Sequence, residues 1–287
     1  MERPIVGIGE ILFDLLPAGA QLGGAPANFA YHVNQLGGHG IAVSAIGKDA
    51  LGEEVKNILT AKKLEAILPE VDCPTGVVNV TLDDKGVPTY TIIEGVAWDN
   101  VPYTPEMKEV AAQARAVCFG TLAQRNPVTR QTILSFIEDM PKDSLKVYDI
   151  NLRQHFFSKE IIETSLQVAD ILKINDEEIV TVAGLLGLDG TPEESCRAIL
   201  RAYGLRLVIL TKGGDGSEVI TEDNVLSVTC PKVKIADTVG AGDSFTAAFI
   251  RAYLRGDTLA ECHRLANEVS AYVCSRSGAM PDYDRSF

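Results

Sequence analysis

Nine consecutive residues, Asp237-Thr238-Val239-Gly240-Ala241-Gly242-Asp243-Ser244-Phe245, carry the densest chemical signal in the chain. Downstream, Phe245, Phe249 and Tyr253 recur four residues apart, the spacing of one helix face, and Gly256 stands where that helix would end. Gly240-Ala241-Gly242 therefore falls where a loop enters a helix. The first N–H groups of a helix have no partner within it, and the helix dipole adds positive potential, so such a spot can hold a phosphate. Two glycines let the anion approach the backbone closely. Asp243 lies in the first turn beside that anion hole. A carboxylate there can take the proton of an attacking hydroxyl while the N–H groups hold a phosphoryl group in transit. An isolated GxGD string would favour a plain helix cap at Asp243; the longer string around it moves the balance toward catalysis.

The elements that must position these residues are visible in the apolar pattern. Strand-like runs at 5–9, 41–46, 117–119, 146–150, 171–174 and 207–210 alternate with helical patterns at 26–36, 52–63, 128–140 and 159–169. In the first helix Phe29, Val33 and Leu36 line one face and Gly37 ends it; in 128–140, Ile133, Phe136 and Ile137 point inward. The alternation predicts one α/β domain, residues 1–287, built on a parallel sheet covered by helices on both faces. One segment breaks the rhythm. Over 76–93, Val78, Val80 and Leu82 alternate with polar residues, Asp83-Asp84-Lys85-Gly86 supplies a turn, and 89–93 is strand-like again. This is a β-hairpin standing out from the core, and Leu12–Leu16 can pair with it. Residues of about 12–22 and 75–95 then form a small β lid that excludes water from a site; an ordinary surface hairpin fits the pattern equally well.

Charge narrows the partners. Lys and Arg number 26 against 39 Asp and Glu, a formal charge of −13. Such a chain repels nucleic acid and anionic membrane surfaces, so neither is an expected partner. It would also repel ATP, so any nucleotide site must be locally positive. No stretch approaches the roughly 18 apolar residues of a membrane helix. MERPIVGIGE lacks the apolar core of a secretory signal, and no two of the six cysteines have CxxC spacing. A cytoplasmic chain with reduced thiols is the expectation.

DTVGAGDSF resembles the C-terminal signature of the ribokinase-like (PfkB) carbohydrate kinase family. GIGEILFD and Gly23-Gly24-Ala25-Pro26-Ala27-Asn28 resemble that family's N-terminal glycine-rich motif, in the wording typical of fructokinases. The resemblance covers nearly the whole chain. It implies the same α/β body with a β lid, and an ATP-dependent transfer of the γ-phosphoryl to a sugar hydroxyl, with fructose the first expectation.

By position, the resemblance makes Asp243 the catalytic base and Gly240, Ala241 and Gly242 the anion hole. Asn175 and Glu178 of Asn175-Asp176-Glu177-Glu178 match an NxxE motif that serves Mg²⁺, Glu178 through water; hard oxygen ligands suit that ion, although the run also reads as a capped, acidic helix start. Thr211, Gly213 and Gly216 match a loop that contacts the nucleotide, where a tight turn into the next strand is the alternative. Asn267 matches a position in the adenine pocket. Asp14, Gly24 and Asn28 match sugar-gripping positions. Asn151 and Arg153 of the Asp149–Arg153 string would reach the sugar or the transferred phosphate, for which the planar guanidinium is apt. Arg125 is either a further substrate contact or a surface charge. Asp237, Val239, Val273, Arg276 and Gly278 would line a monovalent cation site, potassium for example, mostly through backbone oxygens; Ser277 stands where the family often has proline, which leaves that loop less rigid.

Other chemistries lack their motifs. There is no Walker A, since Gly47-Lys48 is followed by Asp49, and GIGEIL lacks the third glycine of a dinucleotide fingerprint. The four histidines form no ligand spacing. The rivals are a kinase of ribose, 2-keto-3-deoxygluconate or a nucleoside, a silent sugar- or nucleotide-binding protein on a kinase fold, and an NAD-dependent oxidoreductase. A lid pairing across a two-fold axis would give a homodimer.

Overall fold

The computed structural model describes residues 2–16, 19–82 and 88–287. Its centre is a nine-stranded sheet. From one edge the order is Val225–Val228, Ser217–Ile220, Leu207–Thr211, Ile171–Asn175, Leu145–Asp149, Ala116–Phe119, Ile5–Ile8, Gly40–Val43 and Glu65–Ile67. Neighbours from Leu207–Thr211 onward run parallel, with Ile5 opposite both Ala116 and Gly40. The expected parallel sheet carries an antiparallel edge, where Ser217–Ile220 pairs antiparallel with both Leu207–Thr211 and Val225–Val228. The reason is the short connection between Thr211 and Ser217: a parallel return needs a crossover of roughly a dozen residues or more.

Alternation along each strand sends successive side chains to opposite faces and so splits the core in two. Ile5, Ala116, Val147, Ile171 and Ile209 pack with Phe29, Phe245, Phe249 and Val269 of the helices Ala25–Gln35, Ala241–Arg255 and Leu259–Cys274. Val6, Val117, Tyr148, Leu172 and Val208 pack on the other face with Ile133, Phe136, Ile137, Leu166 and Ile179 of the helices Pro127–Asp139, Lys159–Val168 and Asp176–Leu186. The inward trio of Pro127–Asp139 is as the periodicity predicts. Asn126, Ser158 and Asn175 cap these three helices through their side chains.

A separate four-stranded sheet, in the order Gly19–Gly23, Leu12–Leu16, Gly76–Leu82, Pro88–Ile92, stands beside the body. Leu12–Leu16 pairs parallel with Gly76–Leu82, Leu12 opposite Gly76, and the outer pairings are antiparallel. The pairing of Leu12–Leu16 with the hairpin is thus present, while the turn expected at 83–86 lies outside the described residues. The strand expected over 41–46 is divided. Gly40–Val43 stays in the main sheet, the Ser44 hydroxyl donates to Gly9 O at 2.6 Å, and Ile46–Gly47 pairs instead with Glu70–Val71. Among the described residues no helix is long and apolar enough to cross a membrane.

Candidate active site

A cavity of about 760 Å³ opens at the carboxyl ends of the parallel strands, beneath the small sheet. Gly240 N-caps the helix Ala241–Arg255 with φ 78°, and no side chain caps its first turn. A Cβ at Gly240 would come within 2.7 Å of Ala279 O, so this turn admits only glycine. Of the three expected anion donors, Ala241 N–H instead donates to Thr238 O at 3.2 Å. The other N–H groups of the turn have no side-chain cap, and with the helix dipole they leave a positive pole facing the cavity.

Asp243 stands in that first turn, partly accessible from the cavity. Asn28, buried at the start of the helix Ala25–Gln35, donates from Nδ2 to Asp243 Oδ2 at 2.8 Å. Loss of water contact pushes the Asp243 carboxyl up to about 6, and the negative charge of Asp149 adds to this. The Asn28 bond and the positive charges of Lys173 and Arg153 oppose it. The result is a carboxylate that is ionised near neutral pH yet more basic than an ordinary aspartate, which suits a proton acceptor.

Behind the helix start, Lys173 and Asp149 form a buried ion pair of 3.0 Å, and Thr246 Oγ1 holds the other oxygen of Asp149 at 2.8 Å. A Cβ on Gly242 would lie 3.0 Å from Lys173 Nζ, so the ammonium stands against the backbone of the helix start. Burial alone would lower the Lys173 pKa, but the charges of Asp149, Glu178 and Asp243 outweigh it and keep the ammonium protonated. This cation answers the demand, set by the chain's net charge, for a locally positive site.

Asn175 and Glu178 form a reciprocal cap. Asn175 Oδ1 accepts from Glu177 N and Glu178 N, and Glu178 Oε2 accepts from Asn175 N at 3.0 Å. Glu178 Oε1 also accepts from Leu152 N at 2.9 Å, which ties the strand end to the loop carrying Asn151 and Arg153. Each Glu178 oxygen keeps a second lone pair, while Asn175 Oδ1 is filled, and both residues line the cavity. In that loop Asn151 has φ 46° and Gln154 φ 49°, sparsely populated values for side-chain-bearing residues.

Asp14, Gly24, Asn28, Asn151 and Arg153 line one part of the cavity. Burial raises the Asp14 carboxyl, against the pull of Arg153. Thr211, Gly213, Gly216 and Asn267 line another part. Asn267 donates to Ser217 Oγ at 3.0 Å and to His263 O at 2.9 Å, so its amide is already fixed within the protein. Of the expected cation residues, Val239 lines the cavity, whereas Asp237, Val273, Arg276 and Gly278 do not. Asp237 draws their two segments together by accepting from Val239 N and from Gly278 N, at 3.0 and 3.1 Å. The Arg276 side chain turns away to Asp284 and the Tyr272 ring.

Arg125 departs from expectation. It is neither a surface charge nor a cavity residue: its side chain is 5% exposed, pairs with Asp99 at 2.7 Å, and lies 3.9 Å from the Trp98 ring centre and 4.5 Å from that of Phe156. Its Nη2 also donates to Ile93 O, just past the strand Pro88–Ile92. Trp98 itself is core, at 1% exposure.

Three site residues have no role in the motif reading: Glu10 inside GIGEILFD, Asp149 at the head of the Asp149–Arg153 string, and Lys173, which lies in no motif. Each is a charged residue at or inside an apolar strand pattern, which was the signal available in the sequence.

The comparisons agree with this architecture. The pfkB family carbohydrate kinase profile matches residues 19–285. The uncharacterized sugar kinase PH1459 of Pyrococcus horikoshii is 30% identical over 298 residues, spanning 96% of this chain and 91% of its own. Its crystal structure superposes with a TM-score of 0.84 at 26% identity, covering 96% and 93% of the two chains. An ATP-dependent 6-phosphofructokinase of Thermoanaerobacterium thermosaccharolyticum is 29% identical over 302 residues, spanning 98% of this chain and 91% of the relative. Fructokinase-1 of Oryza sativa subsp. japonica is 27% identical over 305 residues, spanning 96% and 93%. With a profile match over residues 19–285 and a relative 30% identical over 96% of its length, the chain belongs to the PfkB family of carbohydrate kinases, phosphotransferases with an alcohol acceptor.

Proposed function

We propose that the protein transfers the γ-phosphoryl group of ATP to a hydroxyl of an uncharged sugar, fructose being the leading substrate. The observation that carries this reading is Asp243, a carboxylate of raised pKa held by Asn28 at the foot of an uncapped helix. One Asp243 oxygen is engaged by Asn28 and the other is available to the sugar hydroxyl. As that proton passes to Asp243, the hydroxyl oxygen attacks the γ-phosphorus, the bond from that phosphorus to the β-phosphate oxygen breaks and ADP leaves. The charge on the phosphoryl oxygens meets the N–H groups at Gly240 and Gly242, the Ala241 N–H being turned back to Thr238 O. The Lys173 ammonium reinforces them. Phosphoryl transfer draws its rate mostly from such positioning and electrostatics.

Asp14, Gly24, Asn28, Asn151 and Arg153 would grip the sugar, and Thr211, Gly213, Gly216 and Asn267 the nucleotide. Glu178 fits an Mg²⁺ reached through water, each of its carboxylate oxygens having a spare lone pair at the cavity wall, and Asn175, whose side-chain oxygen is filled by Glu177 N and Glu178 N, would hold that carboxylate in place; the ion would neutralise phosphate charge. Backbone oxygens of the 237–239 and 273–278 segments would suit a monovalent cation such as K⁺. Three carboxyl groups, Glu10, Asp14 and Asp243, face a single Arg153 on the sugar side. That excess of negative charge favours a neutral polyol over a sugar phosphate, in line with the fructokinase relative. The 6-phosphofructokinase relative supports a second reading, fructose 6-phosphate as acceptor.

A coupled ADP-release assay with ATP and Mg²⁺ tests the choice across fructose, fructose 6-phosphate, ribose, 2-keto-3-deoxygluconate and adenosine. Release with fructose alone is the expected result. Release with another acceptor keeps the kinase and replaces the sugar. ATP binding without release on any acceptor would leave a silent binder.

A further inference from the structure

Glu10 follows the first strand, Ile5–Ile8, and lines the cavity although only 3% of its surface is exposed. A carboxyl group so deeply placed is costly unless its oxygens are matched. Among the described residues its Oε2 has no hydrogen-bond partner. The remaining interactions locate the group. The N–H groups of Glu10 and Ala25, the latter opening the helix that carries Asn28, bear on the carboxylate, as do the charges of Asp243 and Arg153. The Glu10 backbone is equally fixed: Gly24 has φ 119°, and a Cβ there would meet Glu10 O at 2.5 Å. Glu10 is therefore held against Gly24, within the electrostatic reach of Asp243 and Arg153, with one oxygen unmatched. A second buried oxygen nearby, Asn28 Oδ1, is also without a partner. Two unmatched acceptors in the wall that carries Asp14 and Asp243 are the complement of a ligand rich in hydroxyl donors.

We infer that Glu10 is a specificity-determining residue, whose Oε2 receives a sugar hydroxyl other than the one Asp243 deprotonates. This rests on the sugar-kinase reading above. Burial pushes the Glu10 carboxyl up to about 7, so the group can accept from a hydroxyl when ionised and donate to one when protonated. In either state a substrate lacking that hydroxyl leaves a buried polar atom unmatched, which is how such sites discriminate.

The test uses the sugar turned over fastest by the wild-type protein, together with its monodeoxy analogues. With the wild type, one analogue is expected to lose about tenfold to a hundredfold in kcat/KM, the range for a hydrogen bond to a charged group. In Glu10→Ala the parent sugar falls by a similar factor, but that same analogue falls little further, while KM for ATP stays within about twofold. The isosteric Glu10→Gln keeps the volume and guards against misfolding; its preference between parent and analogue is also expected to shrink. Equal losses for parent and all analogues in both variants would reduce Glu10 to a structural residue and overturn the inference, as would an unchanged parent sugar. Failure of the wild type to turn over any sugar would instead strike the kinase reading itself.

Discussion

Asn28 Nδ2 and Asp243 Oδ2 meet at 2.8 Å across 215 residues of sequence. The bond joins the start of the helix Ala25–Gln35 to the start of the helix Ala241–Arg255, so the glycine-rich motif near one end of the chain positions the Asp243 carboxylate near the other. Asn28 stabilises the ionised form of Asp243 while burial and Asp149 resist it.

Asp243→Asn is expected to lower turnover by roughly 10²–10⁴-fold, the usual worth of a general base, while leaving sugar binding measurable by calorimetry. Near-normal turnover would remove Asp243 from the mechanism.

The same substitution has a stability consequence of definite sign. Asp243 titrates near 6 in the folded protein against an ordinary 3.8, so holding it ionised costs stability above about pH 6 and nothing below about pH 4. Because the group keeps some contact with cavity water, Asp243→Asn should stabilise by roughly 1–2 kcal/mol at pH 8, with the gain vanishing toward pH 4. Urea unfolding at the two pH values measures the difference; a loss of stability at pH 8 would contradict it.

The acid limb of kcat/KM should lie near pH 6, activity falling as Asp243 protonates. Asn28→Ala removes a bond to the carboxylate and should move that limb to higher pH, whatever it does to the overall rate. A limb that stays in place, or moves down, would show that the Asn28 bond does not tune the base.

Gly240→Ala forces a side chain into φ 78° and against Ala279 O. Displacing the anion hole should lower kcat by about 10²-fold or more, comparable to removing an oxyanion donor. Steady-state kinetics at saturating sugar and ATP read this directly, and retention of most of kcat would show that the hole tolerates the shift.

Arg125→Met strands Asp99 in the core. The expected loss is about 3–5 kcal/mol of unfolding free energy, as for other buried pairs broken on one side. Sugar KM, measured below the variant's melting transition, should change by less than about threefold. A large rise in KM with little loss of stability would restore Arg125 as a substrate contact.

Much was legible from the sequence because it is local. Strand and helix periodicity, the Gly240–Asp243 helix entry, the hairpin at 76–93 and the acidic cap at Asn175–Glu178 each depend on residues a few positions apart, and backbone geometry fixes what such neighbours do. The two readings of Asn175-Asp176-Glu177-Glu178 stay compatible for the same reason: the capping bonds use one lone pair of each Glu178 oxygen and leave the other. The antiparallel edge was implicit in the length of the connection after Thr211.

What the tertiary structure alone decided are the long-range pairings. Lys173 with Asp149, Asn28 with Asp243, and Arg125 with Asp99 are meetings that no periodicity encodes. Arg125 illustrates the physical reason. In sequence it is a charge after a strand, and its role turns on whether water or a carboxylate and two aromatic rings surround it, which only the packing sets. Glu10 is the converse: its place beside the glycine-rich motif was plain in the sequence, but its unmatched oxygen exists only because the fold removes water from one side and opens the cavity on the other.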